Sequence, residues 1–241
     1  MHGDLLPEAP VTGTDFSAFP AATSEFLRGI AENNAKDWFE ANRQLYEDGY
    51  VAPARHFIEA IGPRLKQISP SVRYEAKING SISRVNRDVR FSRDKRPYKD
   101  HLDIWFWHGD KKGWDRPGFY LRLTPETVFV GSGMHMLQGR MLDDFRNAVV
   151  GDLSGEALLK AVATVEKAGP YVIGGATRKT VPRGFDANHQ RARFLMHDGL
   201  YAGLELPAGT AGSPGFGELA FRHFSATWPI GQWLLDEVAK D

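Results

Sequence analysis

The chain has 241 residues, with 30 basic and 30 acidic side chains and 42% apolar residues, a composition that fits a globular protein and excludes a wholly disordered or fibrous one. There is no cysteine, which excludes disulfides, thiolate catalysis and cysteine-ligated zinc. The formal net charge of +0 argues against a general polyanion binder, and no run approaches the roughly 18 apolar residues of a membrane span, so a soluble cytoplasmic protein is expected.

Residues 1–19 hold Pro7, Pro10 and scattered small residues without a period, and read as a loosely ordered tail. Residues 20–241 read as one α+β domain. A helix is expected from Thr23 or Ser24, either able to cap it, with Phe26, Leu27 and Ile30 on one face and Asn33-Asn34 at its end. Trp38, Phe39, Leu45 and Tyr46 recur at helical spacing, with Gly49 as a stop. A third helix begins near Val51 with Pro53 in its first turn, and Gly62-Pro63 predicts a kink or break. These helices form an amino-terminal layer.

From Lys77 the period changes to alternation. In SISRVNRDVRF, Val85, Arg87, Val89 and Phe91 share one face, and Arg84, Asn86, Asp88 and Arg90 the other. Ser92 to Lys99 reads as a loop, stiffened by Pro97. HLDIWFWH, GFYLRL and VFVGSGM follow as strands. The result is a central, mostly antiparallel sheet, a meander of about four strands with helices packed on it.

Two more helices are expected, near 136–150 and from a Ser154 cap to Gly169-Pro170. The stretch from Tyr171 to Phe194 is Gly-, Pro- and Arg-rich, with no clear period. Pro207 to Gly217 reads as a flexible surface insertion, and a last helix runs near Ile230 to Lys240, with Trp228-Pro229 as its start signal.

Charge is unevenly spread. Between Arg84 and Lys99, seven Lys/Arg stand against two acids, and between Arg178 and Arg193 five stand against one. The stretches FLRGIAENNAKDWFEANRQLY, SRVNRDVRFSRDKRPYKDH, GFYLRL and PRGFD together resemble the bacterial and fungal family catalogued as domain of unknown function 2461, over roughly Phe19 to Val238. Its central RDxRFSxDKxPYKxH pattern is specific. Asn42 and Asn86 stand where relatives commonly carry His and an aromatic, and the Pro207–Gly217 loop is private to this chain. The resemblance implies the fold family but no activity, substrate or cofactor.

Function is therefore read from the residues. Guanidinium forks at Arg84, Arg87 and Arg90, with Lys95 and Lys99 and a contribution from Arg183, suit a small phosphate- or carboxylate-bearing ligand. Tyr98 and His101 could move a proton in an enzyme, and Asp88 is an orienter of Arg87 or Arg90 and a weak catalytic candidate. Eight histidines occur without HxH or HExxH spacing, so no metal is expected, although His135 and His189 lie at the sheet end. The alternative partner is nucleic acid, stacked on Trp105, Trp107 or Trp114 beside the basic loop. A scaffold role, in which the basic segment serves folding alone, is the third reading.

Overall fold

A computed structural model describes residues 15–110 and 116–240. Residues 1–14 of the expected tail, and Trp114, lie outside them. The last tail residues are not loose: Phe16 and Phe19 are core residues, and the Phe19 N–H donates to the Ala211 carbonyl at 2.8 Å.

Helix α1 (Ala21–Glu32) starts earlier than expected, from Pro20, so Thr23 lies buried inside the first turn and caps nothing. α2 (Lys36–Ala41) and α3 (Arg43–Tyr46) follow, and Gly49 does not stop the chain. A π-turn over Glu47–Val51 carries it into α4 (Ala52–Ile68). Gly49 is needed there because a Cβ would strike the Ala22 carbonyl of α1. Gly62-Pro63 causes no break either. Gly62 makes room for the Tyr74 ring, and Glu59, whose carbonyl loses the Pro63 N–H, is exposed to water.

The sheet has five strands, β1 (Leu102–Phe106), β2 (Gly118–Leu123), β3 (Thr127–Met134), β4 (Val172–Ala176) and β5 (His197–Pro207), all pairings antiparallel, in the order β1-β2-β3-β5-β4. The first three are the expected meander. The strand expected over SISRVNRDVRF is not a regular strand, and β4 and β5 complete the sheet instead. Residues 81–87 instead run beside 97–105 as an irregular ribbon. Its ties are Trp105 N–H to Ser81 O, Ser83 N–H to Asp103 O, Lys99 N–H to Val85 O and Arg87 N–H to Pro97 O. The register slips by two residues between the second and third bonds, a bulge that takes up Asp100 and His101.

α5 (Arg140–Val150) and α6 (Asp152–Ala168) match the expected pair, although Gly151 rather than Ser154 precedes α6. A short α7 (Ala192–Leu195) leads into β5. Pro207–Gly217 is no floppy insertion: it forms a 3-10 turn with Ala211 buried, and the Phe216 N–H donates to Ser17 O. The closing helix α8 spans Phe216–Glu237 and passes straight through Trp228-Pro229. Burial of Phe224, Trp228, Ile230 and Trp233 outweighs the roughly 3 kcal/mol that an interior proline costs.

Leu102, Ile104, Phe106, Phe119, Leu121, Val128 and Val130 face one side of the sheet and join α1, α4 and α8 in one core cluster. A second cluster joins Met134, Leu200 and Ala202 to α5, α6 and the end of α8. Beside the first cluster, against Phe119 and Trp228, lies a buried polar pair. His108 Nδ1 is 2.7 Å from the Pro117 carbonyl, which can only accept, so Nε2 accepts from the Ser69 hydroxyl at 2.8 Å. Burial pushes the His108 imidazolium down, and it does the same at His197. A depressed histidine stabilises the fold fully above its unfolded value of about 6.5, and the contribution is lost as pH falls below it. Chemical denaturation should show stability dropping as pH falls below about 6.5, by up to about 1.4 kcal/mol per pH unit for each of these two groups. His108→Gln should flatten that slope, and an unchanged slope would refute the assignment.

Candidate functional site

The sheet's opposite face carries the candidate site. Register aligns its side chains in rows: Asp103, Arg122, Phe129 and Glu205 across β1, β2, β3 and β5, then Trp105, Tyr120, Gly131 and Gly203, then Gly118, Gly133 and Tyr201. None of Trp105, Trp107, Tyr120, Phe129 or Tyr201 belongs to either core cluster. These rings and the glycines enclose a pocket of about 320 Å³, which Arg116, Arg122, His135 and Glu205 also line. Glycine forms the floor for a steric reason: a Cβ at Gly131 would drive into the Ala202 carbonyl, and at Gly133, where φ is +127°, into that of Leu200. The Phe129 ring lies over Gly131 and Gly203, and the Tyr201 ring over Gly174.

One wall of the pocket is polar. Asp103, only 5% exposed, accepts from Arg122 Nε at 2.7 Å and Nη2 at 3.2 Å, and from the Tyr120 hydroxyl at 2.5 Å. His101 bridges Asp100, 3.0 Å from Nδ1, and Asp103, 3.3 Å from Nε2. Burial alone would raise the Asp103 carboxyl, but hydrogen bonds from His101 and Arg122 outweigh it and hold it well below the usual carboxylate range. Burial and the Asp103 charge push the Tyr120 phenol far up. Lys99 Nζ stands 3.9 Å from Asp103 Oδ2 and donates closely to the Ser83 hydroxyl. Burial pushes its ammonium down; Asp103 opposes this, while Arg122 and Arg84 add to it.

The expected residues thus divide into three groups. Lys99 and His101 lie against Asp103, and Arg84 is exposed, with its charge acting on Lys99. Arg87, Arg90 and Lys95 are used within their own loop: Arg87 pairs with Asp94 at 2.8 Å, Asp88 holds Arg90 at 2.6 Å, and Lys95 donates to the Val89 carbonyl. Asp88 is therefore the orienter of Arg90. Tyr98 turns inward, stacked on Phe39 at 4.6 Å, with its backbone clamped by Asn34 through Nδ2 to Tyr98 O (3.1 Å) and Tyr98 N–H to Oδ1 (3.0 Å). Arg183 is exposed on the segment between β4 and α7. That segment follows β4, the edge strand opposite β1, and no hydrogen bond or ion pair among the described residues joins Arg183 to the first basic window.

Arg191 of the second window is a structural residue, 2% exposed and bonded to the Val149, Val150 and Gly151 carbonyls and to Glu156. His189 accepts the Arg191 N–H at 3.1 Å, while His135 stands exposed at the pocket rim. Among the described residues, no group of three or more His, Asp and Glu is placed to hold a metal ion.

Sequence reasoning missed Tyr120, Arg122 and Arg116. Alternation in GFYLRL already sets Tyr120 and Arg122 on one face, but cross-strand register was needed to bring them to Asp103.

A family model described as conserved hypothetical protein, domain of unknown function 2461, matches residues 22–233. The chain belongs to that family. The matched span contains the ribbon, the polar wall and the whole open face of the sheet. No curated protein matches the chain. No helix of the described residues is long and apolar enough to cross a membrane.

Proposed function

We propose that the protein binds a small ligand with an anionic group, phosphate or carboxylate, in the pocket on the open face of the sheet. The observation that carries this is the gathering of cations on the polar wall: Arg122 holds the buried Asp103, Lys99 stands 3.9 Å from it, and the charges of Arg122 and Arg84 both act on Lys99. Arg84 makes no ion pair with a described residue, and Arg122 Nη1 is not used in holding Asp103. An incoming oxyanion would gain charge-assisted hydrogen bonds of about 1.5–3 kcal/mol each, and the aromatic walls suit an apolar or planar body. A volume of about 320 Å³ is that of a small-molecule site. A nucleic-acid strand would need a groove that continues.

Thermal denaturation against a panel of short and aromatic carboxylates, sugar phosphates and nucleotides tests the reading. A true ligand at one hundred times its Kd should stabilise the fold by about 2.7 kcal/mol. Arg84→Gln and Trp105→Ala should each weaken it at least about tenfold, or 1.4 kcal/mol, with little change in the unliganded midpoint for the exposed Arg84. Stabilisation that survives both substitutions would move the ligand elsewhere. Retention on single-stranded RNA or DNA that falls steeply with salt would favour the polymer instead.

A further inference from the structure

We propose that Lys99 is a nucleophilic amine that condenses with the carbonyl carbon of an oxo acid whose carboxylate is held by Arg122 and Arg84. This rests on the anion-binding reading above and names its ligand class.

Geometry sets Lys99 apart from an ordinary ion-paired lysine. The carboxylate nearest to it is already engaged: Asp103 accepts from Arg122, from Tyr120 and, at 3.3 Å, contacts His101. Lys99 is left 3.9 Å away, and its close partner is the neutral hydroxyl of Ser83. That hydroxyl is held in place, donating to Arg84 O at 3.3 Å, while the Ser83 carbonyl accepts from the buried Tyr50 phenol at 2.9 Å. The Lys99 side chain is 26% exposed. A lysine withdrawn from water beside other cations gives up its proton more readily, which is how amines are activated for Schiff-base chemistry. The two arginines that disfavour the ammonium are those that would seat the carboxylate, so binding and activation use the same groups.

The step balances without any redox partner. The neutral amine attacks the carbonyl carbon and forms a C–N bond, and the carbonyl oxygen takes up a proton. The hydroxyl of this carbinolamine then leaves as water while nitrogen loses its remaining proton, so amine plus carbonyl gives an imine and one water. Ser83 Oγ, in contact with Nζ, can pass the proton between nitrogen and oxygen.

Reductive trapping tests it. The intact protein is incubated with pyruvate and cyanoborohydride near pH 7, and adducts are mapped by peptide mass spectrometry. We expect one dominant adduct on Lys99, forming faster than on any other lysine, since a lowered pKa raises the free-amine fraction. Propionate, which binds but cannot condense, should slow it. Lys99→Arg should abolish the adduct, whatever its effect on the thermal shift by propionate. Adducts spread evenly over surface lysines would overturn the inference. If propionate still stabilises the protein in that case, anion binding stands without the covalent step; if it does not, both readings fall.

Discussion

Arg191→Ala is expected to destabilise the fold by about 3–5 kcal/mol in urea or guanidinium unfolding. The guanidinium is sealed between α5 and α6, donating to Val149 O at 2.7 Å, Val150 O at 3.2 Å and Gly151 O at 3.1 Å, with Glu156 at 3.0 Å. Those carbonyls end α5, where a helix has no amide donors left to offer. The cation also meets the negative end of the helix dipole. Deleting it strands several buried acceptors together and leaves a cavity. A matched substitution separates this from a generic core effect. Gly155 faces the same guanidinium, and a Cβ there would drive into Arg191 Nε and Cζ, so Gly155→Ala should lose stability although alanine is the better helix former. Arg191→Ala and Gly155→Ala together should cost clearly less than the sum of the two. Full additivity would mean that the guanidinium is not what Gly155 makes room for.

Arg122→Met is the second large effect, about 3 kcal/mol, because it leaves the Asp103 carboxylate buried without its bidentate partner. Adding Asp103→Asn should recover most of the loss, since the amide no longer needs a counter-charge and its oxygen still accepts from Tyr120. The acid limb supplies an independent reading. Asp103 titrates below its ordinary value in the fold, so its contribution is present above the unfolded value near 3.9 and lost as pH falls through the folded one. Arg122→Met narrows that gap, and acid unfolding should shift to higher pH. An acid midpoint that stays put would show that His101 and Lys99 alone hold the carboxylate ionised.

The fold was readable where pattern and packing agree. Strands β1, β2 and β3 alternate cleanly, one face filling the core, and their limits were close to those expected. Local breakers misled in three places, Gly49, Gly62-Pro63 and Trp228-Pro229, each inside a helix whose buried face outweighs the break. Strands β4 and β5 escaped because VIGGA and HDGLYAGLELP carry glycine where a side-chain alternation would show. In the first basic window, charge density alone could not separate Arg84 and Lys99 from Arg87 and Arg90. The difference lies in Asp88 and Asp94, placed to close ion pairs within the loop. What assembles the wall is register between β1 and β2, a property of paired strands.

The Asn34 clamp on Tyr98 bears on how the protein folds. Its two hydrogen bonds join residues 64 positions apart, across the junction between the helical layer and the ribbon, and Lys99 is the next residue along. Closing so long a loop carries an entropic cost that must be met before the contact returns anything. The polar wall should therefore assemble late, after the amino-terminal helices have docked. Refolding followed by binding should show native helical signal before ligand competence.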